Sequence, residues 1–128
     1  MKPCVDFHTA IPLKESGLRP PTLDSGQFWY TEAGRITFID EDGEDFFIYS
    51  GENGLNVRTP KSSPLSTERI YFAPTAIDII NQMPGLEITK VGDTFICTLR
   101  TNEGIKIFRD KHPAEACAKA WLELHPIL

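Results

Sequence analysis

The chain has 128 residues, of which 41% are apolar and 24% charged, and its formal net charge is −5. This length fits one ordinary domain with its own hydrophobic core, and the composition excludes a disordered, fibrous or coiled-coil protein. No run approaches the ~20 apolar residues of a membrane span, and the N-terminus has no apolar secretory segment, so we expect a cytoplasmic protein.

The first half of the chain is predicted to form a short helix followed by a β-meander. Thr9 is a good N-cap and Gly17 a good left-handed stop for a helix over residues 10–16, with Leu13 and Leu18 placed for the apolar contact of a Schellman ending. Alternating apolar residues between Gly-rich turns then predict antiparallel strands, and a Ser- and Pro-rich loop follows at residues 58–68. The predicted strands cover residues 27–31, 35–40, 46–50 and 55–58.

The second half is predicted to contain another sheet and two helices. After a short strand at 70–72, Thr75 and Asp78 resemble a capping box that begins a helix over residues 76–83, with Ile77, Ile80 and Met83 as its buried stripe. Pro113 and Pro126 then bound the last helix, over residues 113–124. Three antiparallel strands are predicted between the two helices, over residues 86–90, 94–101 and 105–109.

These elements predict one α+β domain over residues 1–128. Its sheet is mainly antiparallel and combines the β-meander with the C-terminal three-stranded unit. Two to three short helices are expected to cover the sheet, which forms either one continuous layer or two packed sub-sheets.

The last predicted helix is apolar on most of its surface. Its charged residues Glu115, Lys119 and Glu123 are four apart and form one line, while Ala, Cys, Trp and Leu occupy the other angles. Such a helix must be covered on more than one side. It is either an interior helix of a monomer or the contact of a homodimer through helix 113–124, and the sequence leaves both open.

Two groups of potential metal ligands do not form a recognisable site. Residues 32–52 hold seven carboxylates and one arginine, and the acidic hairpin 40–45 has its glycine too early for a calcium loop, so we expect a solvated turn and leave weak cation binding open. Cys4 and His8 are spaced like two helical metal ligands, but no second pair complements them. The sequence therefore predicts no metal and no cofactor.

The remaining cysteines and the histidines indicate structural roles. Cys97 and Cys117 lie in apolar settings, as expected of buried free thiols in a reducing cytosol. His8, His112 and His125 lie beside the ends of predicted elements, where histidines are usually exposed or act as caps. No nucleophile elbow, phosphate loop or zinc motif is present, so no catalytic residue is predicted.

Two further patterns bear on binding. The 13 Lys and Arg residues are scattered, which disfavours nucleic-acid binding, although folding could gather Arg100, Lys106 and Arg109 on one face. The run 28–30 is Phe-Trp-Tyr, and because alternate strand residues face opposite sides, we expect one aromatic face in the core and the other available as a binding surface.

A set of caps, turns and apolar periods extends along most of the chain, at residues 13–18, 21–22, 26–30, 72–76, 78–80, 112–118 and 121–124. These segments resemble small uncharacterised proteins of phages and prophages. In those proteins the residue before the last helix is typically Asn, where this chain has His112. The resemblance implies a common architecture and a mobile-element origin, in the host cytoplasm, without an activity to transfer.

The sequence favours a non-enzymatic accessory protein of a phage or mobile element that acts through contact with another protein. The partner is either a second copy or a host protein. Two alternatives stay open: a protein that binds and sequesters a small metabolite or signal nucleotide, and a small hydrolase whose residues assemble in space. A pocket lined by Arg and aromatic residues would favour the first alternative, and a shielded His–carboxylate pair the second.

Overall fold

A computed structural model describes residues 2–20, 27–30, 33–34, 36–40, 45–50, 56–60 and 70–127. The chain divides into two compact units, a terminal unit of Met1–Leu18 with Pro74–Leu128, and a central unit of Arg19–Ala73. The described residues contain helices and two antiparallel sheets, which confirms the predicted α+β class. A single domain over residues 1–128 stays a prediction.

The central unit holds a five-stranded antiparallel sheet. Strands β1 to β4 pair with their chain neighbours, as in a meander, whereas β5 pairs with β1 at the other edge, so the sheet order is β4-β3-β2-β1-β5. The meander predicted from the Gly-rich turns is therefore confirmed where the strands are described. The predicted loop at 58–68 is wrong at its start, because β4 continues to Pro60. Residues 61–68 of that loop and the tip of the acidic hairpin, residues 41–44, lie outside the described residues. The strands are β1 Phe28–Tyr30, β2 Ile36–Asp40, β3 Asp45–Ser50, β4 Asn56–Pro60 and β5 Tyr71–Phe72.

The aromatic residues of β1 are mostly buried. Trp29 and Tyr30 are consecutive, so they point to opposite faces of the sheet, and both are buried. The Trp29 ring packs against Phe72 of β5, with ring centroids 5.4 Å apart, at a favourable aromatic distance. The predicted exposed aromatic face is wrong at this strand, because both of its faces are covered at these positions.

The terminal unit combines a three-stranded antiparallel sheet with helices. The sheet order is β6-β7-β8, and the predicted strands and the last helix are confirmed within a residue or two at their ends. The strands are β6 Leu86–Val91, β7 Thr94–Thr101 and β8 Gly104–Asp110, and the helices are α1 Phe7–Glu15, α2 Ala76–Ile80 and α3 Pro113–Leu124.

Helix α1 ends as predicted but begins earlier. The backbone N–H of Leu18 donates to Leu13 and that of Gly17 to Lys14, which is the Schellman pattern, and Gly17 has a φ of 98°. The helix starts at Phe7 instead of residue 10, and Thr9 is not its N-cap. The reason is a contact distant in sequence: the carboxylate of Glu115 accepts from the Asp6 backbone N–H (2.8 Å) and from the Thr9 hydroxyl (2.5 Å).

Helix α2 has the predicted beginning and a shorter body. Thr75 and Asp78 form the reciprocal capping box, at 2.9 and 3.2 Å. The helix ends at Ile80 instead of residue 83, because the residue before Pro84 is biased away from helical backbone angles. The predicted stripe is only partly confirmed: Met83 is buried, but Ile77 is 68% exposed and Ile80 is half-buried, and Ile79 is buried instead of Ile77.

Helix α3 is an interior element of the terminal unit. It lies against the β6–β8 sheet and contacts α1 and α2. Its buried residues are mostly alanines, whose small side chains permit close approach from several sides. A homodimer through helix 113–124 stays a prediction. It was suggested because the apolar sides of this helix need cover, and the sheet, α1 and α2 of the same chain already contact the helix. The buried residues are Ala114, Ala116, Cys117, Ala118, Ala120 and Trp121.

Trp121 joins α3 to the end of α1. Its indole N–H donates to the Ser16 hydroxyl (2.9 Å), which in turn donates to the Leu13 carbonyl (2.7 Å). The ring also stacks on His125, with centroids 3.8 Å apart and an interplanar angle of 19°. Trp121 is only 7% exposed, so one side chain fills volume and satisfies polar groups at the junction of two helices.

We expect Trp121→Ala to lower the free energy of unfolding by about 3–5 kcal/mol, because it removes a buried ring and leaves a cavity. The matched variant Trp121→Phe keeps an aromatic ring but removes the N–H donor, so it should cost less, on the order of 1–2 kcal/mol. Urea titrations followed by circular dichroism measure both values. Equal losses for the two variants would show that the hydrogen bond, and not the packing, dominates.

Candidate functional site

The sheet of the terminal unit has two different faces. Successive strand residues point to opposite sides, so in β7 Cys97 and Leu99 point toward α3 and are buried, whereas Ile96, Thr98 and Arg100 point away from it. We call the side away from α3 the outer face. On β6 and β8 the register assigns to this face Glu87, Thr89, Val91, Ile105, Ile107 and Arg109.

The outer face carries an apolar stripe that runs diagonally across all three strands. Val91 pairs with Thr94 and Ile107 with Thr98, which places both Val91 and Ile107 diagonally beside Ile96 of the central strand. Ile105 extends the stripe along β8. Val91 is 57%, Ile105 61% and Ile107 51% exposed. They are three of the six large apolar side chains that are exposed among the described residues.

Two arginines flank this apolar stripe. Arg100 lies directly opposite Ile105, and Arg109 lies directly opposite Ile96, so each guanidinium stem starts beside an isoleucine. Both arginines are exposed. The other polar side chains of this face are threonines, at positions 89, 94 and 98. Glu87 is the one carboxylate that these three strands place on it. The outer face therefore combines exposed aliphatic surface with positive charge in a chain whose net charge is negative.

Lys106 does not join the two arginines, contrary to the gathering that the sequence left open. It pairs with Leu99 and so lies on the side of the sheet that faces α3. There its ammonium contacts the Glu123 carboxylate at 2.9 Å, and both side chains are about half exposed. The cationic part of the outer face thus consists of Arg100 and Arg109.

The histidines act in the framework of the terminal unit. His112 is the N-cap of α3: its Nδ1 accepts from the Ala114 N–H (3.2 Å), and its Nε2 lies 2.5 Å from the Lys2 carbonyl oxygen. Since Nδ1 accepts, Nε2 must carry the proton and donate it to that carbonyl. His125 stacks on Trp121, and His8 is exposed beside Phe7. His112 uses both ring nitrogens in backbone hydrogen bonds, so it is not free to act as a base.

Cys4 and His8, whose spacing resembles that of two helical metal ligands, lie in different environments. Cys4 is buried, with its backbone bridged to Thr75, whereas His8 is exposed on α1. Within the ranges that the structure covers, no three His, Cys, Asp or Glu side chains are grouped closely enough to hold a metal ion. None of the described helices has the length and apolar character that a membrane crossing requires.

Asp110 is a charged anchor between β8 and α3. Its carboxylate accepts from the His112 backbone N–H (2.9 Å) and lies 3.2 Å from the Lys119 ammonium. Partial burial alone would raise the pKa of Asp110, but the His112 hydrogen bond and the nearby Lys119 charge together outweigh that effect and lower it. The strand register brings the residues of the outer face together, and Asp110 lies where β8 ends before α3. The sequence predicted these strands and the helix, but not the register or the side of the sheet that the helix covers.

No family model, curated protein or solved structure matches the chain.

We expect His112→Ala to destabilise the protein by about 1–2 kcal/mol, because the N-cap hydrogen bond to Ala114 is lost. His112→Asn is the matched variant, since an Asn side-chain oxygen can accept from the same N–H, and it should recover most of that loss. Denaturant unfolding at neutral pH measures the three proteins. A His112→Asn protein as unstable as His112→Ala would show that the Lys2 contact, rather than the cap, is what matters.

The lowered pKa of Asp110 predicts an acid-sensitive contribution to stability. A carboxyl whose folded pKa lies below its unfolded value of about 3.9 stabilises the fold above that value, and the contribution disappears as the pH falls through the folded pKa. Asp110→Asn should therefore be less stable than the natural chain at pH 7, by roughly 1 kcal/mol or less, and the difference should shrink toward zero in acid. Unfolding free energies of both proteins, measured from pH 7 into acid, test this prediction. A difference between them that does not change with pH would contradict it.

Proposed function

We propose that the protein is a non-enzymatic accessory protein of a phage or prophage that binds another protein through the outer face of the β6–β8 sheet. The observation that carries this proposal is the apolar stripe of Val91, Ile96, Ile105 and Ile107 with an arginine on either side. The phage assignment rests on the sequence resemblance described above.

The composition of the outer face supports a protein partner. Exposed apolar side chains grouped on one face commonly mark interaction sites, whereas single exposed apolar residues are ordinary. Arginine is enriched in protein interfaces because its planar guanidinium makes several directed hydrogen bonds and its stem covers apolar surface. The outer face offers both, on strands whose other side is held by α3.

The charges indicate the chemistry of the partner. Arg100 and Arg109 outnumber Glu87, so a matching surface carries an apolar centre with carboxylates at its edge. A hydrolase has less support, because His112, whose backbone N–H donates to the Asp110 carboxylate, uses its ring as a helix cap. We therefore commit to an acidic, partly apolar partner protein, from the host or from the phage.

The first experiment isolates this partner and measures its affinity. The tagged protein is used for capture from a lysate of its native host, and each captured protein is then purified and titrated by calorimetry. We expect Ile107→Glu and the double variant Arg100→Glu/Arg109→Glu to weaken binding by at least about tenfold, because the first places a charge in the apolar stripe and the second reverses the two flanking charges. These residues are exposed, so the variants should fold normally, as melting curves will check.

The matched control is Leu124→Glu, which changes an equally exposed apolar residue at the end of α3. It should leave the affinity within about twofold of the natural chain. Equal loss in the control and the outer-face variants would contradict the assignment of the surface. Light scattering that shows self-association abolished by Ile107→Glu would replace the partner with a second copy, and salt-sensitive binding of an oligonucleotide would contradict a protein partner.

A further inference from the structure

Two thiols meet in the core of the terminal unit. Cys97 lies in the central strand β7 and Cys117 in α3, and their sulfur atoms are 3.8 Å apart. Both residues are fully buried. The contact joins the middle of the sheet to the helix that covers it, across 20 positions of sequence. No motif brings these cysteines together in the sequence, because only the fold aligns them.

The surroundings of the pair permit a still closer approach. On the helix surface the neighbours of Cys117 lie three and four residues away. Ala114 and Ala120 are small and buried, and Trp121 donates to Ser16 at the end of α1, so small side chains flank the sulfur of Cys117 on both sides along the helix. A disulfide requires sulfur atoms about 2.05 Å apart, so the two sulfurs must close by less than about 2 Å. Side-chain rotation with a small shift of the helix can supply a movement of that size.

Burial protects the reduced pair in the resting state. The hydrogen bond between the thiols outweighs burial and lowers the pKa of Cys97, whereas the same bond and, second, burial raise the pKa of Cys117, so Cys97 is the thiol that more readily supplies a reactive thiolate. Zero exposure of both sulfurs also keeps large reagents out. Reaction therefore needs a small oxidant, and a local opening that admits it between α3 and the sheet.

We propose that Cys97 and Cys117 are an oxidation-sensitive pair that hydrogen peroxide converts into an intrachain disulfide, which fastens α3 to the central strand of the sheet. One thiol attacks peroxide through its sulfur, which becomes a sulfenic acid as the O–O bond breaks and one water leaves. The second sulfur then displaces the hydroxyl group as another water, and the S–S bond forms. The two thiols lose two electrons and two protons in total, and one peroxide becomes two waters.

The consequence is a terminal unit that is harder to open. The disulfide closes a loop between positions 20 apart in the chain, which restricts the unfolded state. Because α3 also holds the beginning of α1 through Glu115, fastening α3 stabilises more than the two elements that carry the sulfurs. Oxidation should therefore raise the melting temperature by on the order of 10 °C.

Peptide mapping of the natural chain tests the pairing without any substitution. The folded protein is treated with hydrogen peroxide, unfolded, alkylated and digested with trypsin, which separates the two cysteines into peptides 91–100 and 112–119. We expect these two peptides to be joined, to separate on reduction, and Cys4 to be alkylated. Alkylation of both Cys97 and Cys117, a bridge to Cys4, or sulfinic acid at either sulfur without the bridge would overturn the proposal.

Melting curves test the stabilisation. The oxidised natural chain and the oxidised Cys4→Ala variant should both melt higher than their reduced forms, whereas Cys117→Ala should show no such shift. Mild urea should speed the formation of the bridge, since opening limits access to the buried sulfurs. A melting temperature that is unchanged or lowered by oxidation, or a shift that persists in Cys117→Ala, would contradict a fastening role. None of these outcomes depends on the partner proposed for the outer face.

Discussion

The burial of helix α3 is the constraint on which the terminal unit depends. This helix has one line of charged residues and otherwise small or apolar side chains, so it is stable only where other elements cover several of its sides. The sheet covers one side, and α1 and α2 cover others. In return α3 supplies groups that these elements lack: Glu115 caps the beginning of α1, and Trp121 holds its end through Ser16. Among the described elements of the terminal unit, α3 therefore has the most buried residues and also supplies the contacts that place its neighbours.

This arrangement decides which surface remains for binding. An antiparallel sheet commonly packs one face on a core and exposes the other, and the exposed face is then usually polar. Here α3 takes the face of Cys97 and Leu99, which leaves Ile96, Ile105 and Ile107 on the other side. The buried residues of helix 113–124 are thus covered by other parts of the same chain. The exposed apolar surface lies instead on the outer face of the sheet. The proposed contact surface moves accordingly from the helix to the strands.

The parts of the fold that the sequence could predict are those set by neighbouring residues. The Schellman ending at Gly17, the capping box of Thr75 and Asp78, and the bounds of α3 depend on groups a few positions apart, and all three are confirmed. The start of α1 could not be predicted, because its cap is a carboxylate 109 positions away from Asp6. The candidate site shows the same division. The sequence left open that Arg100, Lys106 and Arg109 share one face, but only the packing of α3 determines that Lys106 lies on the covered side with Glu123.

The packing of α3 on the covered side of the sheet also holds the side chains of the outer face in position for binding. Side chains on hydrogen-bonded strands lose less conformational freedom on binding than side chains on loops, so a stripe built on strands is arranged for contact before the partner arrives. That arrangement persists only while the strands keep their register, and the central strand β7 is packed against α3 through Cys97 and Leu99. An interaction that tightens α3 on β7 therefore preserves the spacing between Ile96 and its diagonal neighbours. Conversely, loosening α3 exposes the second face of the same strands and removes the support on which the apolar stripe depends. The stability of α3 and the geometry of the outer face consequently depend on the same packing between α3 and β7.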